Sequence, residues 1–128
     1  MRVLLDTQAF LYSIAESSRL PQLARSVIEN LENEVLLSLA SVWEMAIKVG
    51  LGKLTLAEPL DEMIPRQVEV ATIVLLPITV AHATTVATLP LHHRDPFDRM
   101  LVAQSMVEGI PLISGDIAFD QYPIQRLW

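Results

Sequence analysis

Short apolar runs recur along this chain, and helical patterns separate them. Val3-Leu4-Leu5, Val35-Leu36-Leu37-Ser38, Ile73-Val74-Leu75-Leu76 and Ile110-Pro111-Leu112-Ile113 lack the polar alternation of a half-exposed strand. They read as strands buried on both faces. Parallel strands need crossover connections, usually helices, and those crossovers are right-handed. The pattern predicts an α/β fold, a central mostly parallel sheet of four to five strands with helices on both faces. Ile124 to Leu127 is the candidate for an added edge strand.

The intervening helices carry their own punctuation. One runs from Thr7, as N-cap, to about Ala15. Pro21 suits a first helical position, with Leu23, Val27, Ile28 and Leu31 on one face. Ser41 to Val49 stops at Gly50, and Leu60, Met63, Ile64 and Val68 predict a helix after Pro59 that Pro65 should kink or end. Thr79 can cap a short helix to about Leu89, residues 90–94 form a loop, and Pro96 opens a long helix ending at Gly109. No repeat, low-complexity segment or linker interrupts this, so residues 1–128 are read as a single domain.

Composition narrows the function. Hydrophobic residues make up 52% of the chain, yet no apolar stretch approaches the roughly 18–20 residues of a membrane span. The excess apolar surface points to an interface, in a homodimer or a partner groove. Asp6 breaks the N-terminal apolar run too early for a secretory signal. With no cysteine, disulfide and thiolate chemistry are excluded, and a cytoplasmic location fits. The net charge of −6 argues against tight, non-specific nucleic-acid binding. It argues less against a nuclease whose acids hold divalent ions, because the ions invert the local field.

Four acids stand where the strand-like runs give out: Asp6, Glu44, Asp98 and Asp116. In an open α/β sheet, ligands gather outside the carboxyl ends of the strands. Taken singly, each acid has an ordinary explanation. Asp6 can cap the helix that follows it, and Ser41-Val42-Trp43-Glu44 matches a capping box. Asp95 suits an N-cap before Pro96, Asp98 suits the positive end of a helix dipole, and Asp116 can make a turn. Caps need not converge at one sheet edge. Carboxylates that did converge would repel unless a hard cation such as Mg²⁺ or Mn²⁺ neutralised them, and such ions can catalyse phosphodiester hydrolysis.

Leu4-Leu5-Asp6-Thr7, Ser41-Val42-Trp43-Glu44-Met45-Ala46-Ile47-Lys48 and Leu112-Ile113-Ser114-Gly115-Asp116 fall into a familiar order. The most specific stretch lies between them, His92-His93-Arg94-Asp95-Pro96-Phe97-Asp98-Arg99-Met100-Leu101-Val102-Ala103-Gln104. Together they resemble a PIN domain, and within it the toxin ribonucleases of type II toxin–antitoxin pairs, the VapC-like group. The resemblance runs through to Arg126-Leu127-Trp128. It implies a three-layer α/β/α sandwich, Mg²⁺ or Mn²⁺ at the acids, RNA as substrate, a homodimer, and a cognate antitoxin whose tail blocks the site. By position, Asp6, Glu44 and Asp98 would be the central metal ligands and catalytic acids, Asp116 the fourth, and Asp95 and Ser114 accessory. Gln8, Tyr12 and Ser114 stand where relatives often carry His, Trp and Thr; none of these departures removes an acid.

Other residues stay open between two explanations. Arg94 and Arg99 flank the acids and can meet RNA phosphates or simply balance charge. Lys48 lies one helical turn after Glu44 and can pair with it. His92 and His93, as neighbours in an extended loop, point apart, which suits a loop or phosphate contact better than a shared metal. His82 reads as structural, and Trp43 and Trp128 as core or interface anchors.

Overall fold

A computed structural model describes residues 1–128. The elements run β1 (Arg2–Leu5), α1 (Thr7–Ile14), α2 (Gln22–Glu29), β2 (Glu34–Ser38), α3 (Leu39–Gly50), α4 (Leu60–Val70), β3 (Val74–Leu76), α5 (Val80–Val86), α6 (Pro96–Glu108), β4 (Leu112–Ile113) and β5 (Arg126–Leu127). A 3-10 turn, Ile117–Gln121, lies between the last two strands. The five strands form one sheet in the order β3-β2-β1-β4-β5, every pair parallel. β1 is central, with Leu5 registered against Leu37 on one side and Ile113 on the other.

The expected layers follow from the pleat. Val3, Leu5, Val35, Leu37 and Ile113 face one core with Phe10 of α1, Ala24 of α2, Met45 of α3 and Met63 of α4. Leu4, Leu36 and Leu112 face the other, against Leu101, Val102 and Ala103 of α6 and Phe119 of the 3-10 turn. Alternate residues of one strand thus serve opposite layers, which is why the runs carry no polar position. Each fully buried large side chain contributes about 1.5–3 kcal/mol relative to exposure.

Several element ends differ from the sequence expectation. Asp6, not Thr7, caps α1: its Oδ1 accepts from Ala9 N–H at 2.7 Å. α3 begins two residues before Ser41, because Ser38 is the cap and accepts from Ala40 N–H. Glu44 is therefore one turn too deep to close a capping box. Pro21 is the cap of α2 rather than its first residue, and the helix stops at Glu29, leaving Leu31 92% exposed. Pro65 lies inside α4 without ending it; the proline and Asp61, whose carbonyl loses its donor, are both exposed, so water can serve that oxygen. α5 is shorter than expected, with a turn to Leu89.

Pro96 and Gly109 do bound α6, and Gly109 takes the left-handed conformation (φ 64°) that a helix C-terminus favours. His82 is structural: fully buried, it completes a capping box with Thr79 and reaches Glu108 at 3.0 Å. No helix is long and apolar enough to cross a membrane.

Candidate active site

The chain runs from β1 to β2 and β3 on one side of the sheet and returns to β4 on the other. That reversal opens a crevice beyond the ends of β1 and β4, the place where such sheets hold ligands. A cavity of about 560 Å³ lies there, and Asp6, Glu44, Asp95, Asp98 and Asp116 all line it. The four acids come from the end of β1, the middle of α3, the first turn of α6 and the loop after β4.

Asp6 is buried, with one oxygen spent on the α1 cap. Burial pushes its carboxyl up from the ordinary range, and Asp116 and Glu44 add to that; the Ser114 hydroxyl and the Ala9 amide pull the other way. Ser114 also accepts from Asp116 N–H at 3.0 Å, so it ties the β4 loop to the end of β1.

Glu44 is equally buried and caps nothing. Its Oε1 accepts the Thr7 hydroxyl at 2.6 Å, and its Oε2 accepts from Lys48 Nζ at 2.7 Å. The i,i+4 pair expected for Lys48 is thus present, and the ammonium stands in the cavity lining as well.

Asp95 caps α6, its Oδ1 accepting from Phe97 N–H at 2.8 Å and Asp98 N–H at 3.1 Å. Asp98 is left without a capping duty. Burial, then the neighbouring charge of Asp95, push its carboxyl up to about 7 against the opposing pull of His93. Asp116 caps the 3-10 turn through Oδ1 and turns Oδ2 to the cluster.

His93 is the residue that sequence reasoning missed. The two adjacent imidazoles do part: His92 meets Tyr122 edge-on at 5.2 Å, while His93 lies between the acids. Its Nε2 stands 3.1 Å from Asp98 Oδ2 and 2.9 Å from Asp116 Oδ2. Its Nδ1 accepts from Asp95 N–H at 3.2 Å, so the ring proton sits on Nε2 and faces both carboxylates. In that arrangement the imidazole acts as a donor that holds two acids together, and the ligand atoms of His93, Asp98 and Asp116, all within 4.8 Å of one another, are close enough for a cation to take the proton's place. Only its place next to the Arg94-Asp95-Pro96 cap hinted at this.

Arg99 also departs from expectation. Its guanidinium donates to the carbonyls of Val86, Leu89, Pro90 and His93, stitching the loop before α6. Those donors are occupied and not offered to a phosphate. Arg94 is exposed and beside an apolar groove of about 410 Å³ that includes Trp43, Phe97 and Leu91. Trp43, 61% exposed and edge-on to Phe97 at 5.2 Å, is not a core residue. Trp128 packs near Tyr12, ring centres 6.4 Å apart, and covers Gly115 beside the acids.

The donor set fits a hard divalent cation: carboxylate oxygens from four elements, two of the groups raised by burial and mutual repulsion, which positive charge would relieve.

Known proteins share this fold. The PIN domain family model matches residues 3–125. Ribonuclease VapC16 of Mycobacterium tuberculosis is 38% identical over 61 residues, a stretch spanning 48% of this chain and only 42% of that protein. The crystal structure of VapBC2 from Rickettsia felis bound to a promoter DNA fragment contains a chain with TM-score 0.73 at 15% identity, covering 99% of this chain and 98% of that one. VapBC from Salmonella typhimurium, bound to DNA, gives TM-score 0.71 at 15% identity, covering 99% and 97%. At such identities the structures speak for the fold, and the family model covers nearly the whole chain. The chain belongs to the PIN domain family.

Proposed function

We propose that this chain is a metal-dependent endoribonuclease, the toxin of a type II toxin–antitoxin pair, which hydrolyses RNA phosphodiester bonds and is silenced by a cognate antitoxin. The observation that carries this reading is the convergence of Asp6, Glu44, Asp98 and Asp116 on one cavity. Capping explains one oxygen each of Asp6 and Asp116 and explains neither Glu44 nor Asp98. The partial identity to a named ribonuclease supports the activity, and the fold shared with VapBC chains supports the pairing with an antitoxin.

Asp6, Glu44 and Asp98 would hold Mg²⁺ or Mn²⁺, with Asp116 as the fourth acid and Asp95 and Ser114 in support. A divalent ion bound there supplies Lewis acidity, making a water nucleophilic and offsetting charge on the phosphate. The chain's own part is positioning. Thr7 and Lys48 fix the two oxygens of Glu44, Ser114 steadies Asp6, and the Asp95 cap sets the pitch at which Asp98 enters the cavity. Arg94 remains as a phosphate contact on the α6 side. The apolar groove at Trp43 and Phe97 suits a homodimer contact or an amphipathic segment of the antitoxin.

The test is Mn²⁺-dependent cleavage of total and transfer RNA by the purified chain beside Asp6→Asn and Asp98→Asn. Discrete cleavage lost in both variants supports the reading. A folded, metal-loaded chain that cuts no RNA, and arrests no cell growth, ends it.

A further inference from the structure

Nine Lys and Arg side chains serve a chain of net charge −6, and most of them are engaged. Arg2 pairs with Glu34 and Glu108, Arg25 with Glu29, Lys48 with Glu44, Arg66 with Glu58 and Arg126 with Asp120. Arg99 is spent on carbonyls. Arg19, Lys53 and Arg94 are exposed and make neither an ion pair nor a side-chain hydrogen bond. Arg19 and Lys53, though distant in sequence, line the same cavity as the acids.

Their placement is built into the backbone. Arg19 lies in the loop between α1 and α2. Lys53 follows Gly52, whose φ of 71° is a left-handed turn that a side chain would resist. That turn folds Lys53 back so that its N–H closes on Lys48 O at 2.8 Å. Leu11, Tyr12 and Leu54 line the cavity with them. Two cations thus share a cavity with five carboxylates without pairing to any of them. They remain free for an anion that arrives from outside.

We propose that Arg19 and Lys53 form a phosphate clamp that holds the backbone of single-stranded RNA beside the acids. The proposal rests on the ribonuclease reading and adds how so acidic a chain can hold a polyanion at all. Phosphate contacts of this kind position the strand and carry no sequence information, so they act on any RNA. They also release counterions, which makes the contribution readable as salt dependence.

Fluorescence anisotropy of a labelled, mixed-sequence single-stranded RNA across a series of NaCl concentrations tests this. The full chain is used in an Asp6→Asn background, which stops cleavage. We expect Arg19→Ala and Lys53→Ala each to weaken binding about five-fold at low salt. The double variant should flatten the slope of log Kd against log salt by about 1.4, two contacts at roughly 0.7 each. Arg66→Ala on α4 loses the same charge away from the cavity and should leave the slope unchanged. If the double variant and Arg66→Ala behave alike, the clamp is wrong. If the Asp6→Asn background binds no RNA while the wild-type chain still cleaves it with Mn²⁺, the clamp is wrong and the nuclease reading stands. If the wild-type chain neither binds nor cleaves, the ribonuclease reading falls and takes the clamp with it.

Discussion

Thr7 and Glu44, 37 residues apart in sequence, are joined by a 2.6 Å hydrogen bond from the threonine hydroxyl to the carboxylate. Because Lys48 holds the other oxygen, the buried Glu44 has one orientation, set before any ligand enters. Thr7→Val keeps the shape and removes the donor. It should cost about 1.5–3 kcal/mol in urea unfolding, the range for a hydrogen bond to a charged group, and should weaken Mn²⁺ binding. A Mn²⁺ isotherm identical to wild type would show that Glu44 needs no such restraint.

His93 donates to Asp98 and Asp116 through the same oxygens that a cation would use. His93→Ala should therefore destabilise the metal-free chain, by about 1–2 kcal/mol. Mn²⁺ should then raise its melting temperature by more than it raises that of wild type, since the ion no longer displaces a donor. A smaller rise in the variant would make the imidazole a ligand instead.

The raised carboxyls make stability depend on pH with a definite sign. In the folded chain Asp98 is pushed up to about 7, mainly by burial and then by Asp95, against an ordinary value of 3.8. Its protonated form is thus favoured by folding. That contribution is complete below the ordinary value and is lost as pH rises through about 7. Asp6, raised chiefly by burial, acts in the same direction. We expect the metal-free chain to resist urea less well at about pH 8 than at about pH 5.5, and Asp98→Asn to remove roughly 1 kcal/mol of that difference once partial solvent screening is allowed for. Mn²⁺ should reverse the trend, because ion and proton compete for the same oxygens. Equal pH dependence in wild type and Asp98→Asn would contradict this.

Gly115 has no room for a side chain. A Cβ there would lie 2.8 Å from Trp128 Cε2 and 3.0 Å from Cζ2. Gly115→Ala should displace the indole, with a loss of about 1 kcal/mol. In a Trp43→Phe background, which leaves Trp128 as the single emitter, the fluorescence should shift to the red. Since Asp116 follows directly, RNA cleavage should fall as well. An unchanged spectrum would mean the ring does not rest on this glycine in solution.

Much of the scaffold was legible because its signals are local. Apolar runs without alternation read as covered strands, which holds for β1, β2 and β4, whereas Val74 of the edge strand β3 stays exposed. Thr79, Pro96 and Gly109 mark helix ends by their own local chemistry. Glu44 was harder. Ser41 and Ser38 both look like caps, and the choice between them depends on where β2 stops. The acids' convergence follows from strand order, which spacing only suggests. The partners of His93 and Arg99 could not be read from the sequence. The path of the loop before α6 decides where an imidazole points, and one residue's rotation around the helix turns Arg99 from the acids towards the carbonyls of that loop.

β1 pairs with β2 on one side and β4 on the other, and the acids stand on elements from the first strand to the loop after the fourth. No fragment shorter than Asp6 to Asp116 can contain the site. During synthesis Asp6 precedes its partner strand β4 and the Asp116 that follows by more than a hundred residues. Asp6, Glu44 and Asp98 therefore stand without the fourth acid until β4 has joined the sheet. Chains stalled before Asp116 should show this as an absence of saturable Mn²⁺ binding. The order of the strands acts as a delay: the acid cluster is complete only once the fold has closed.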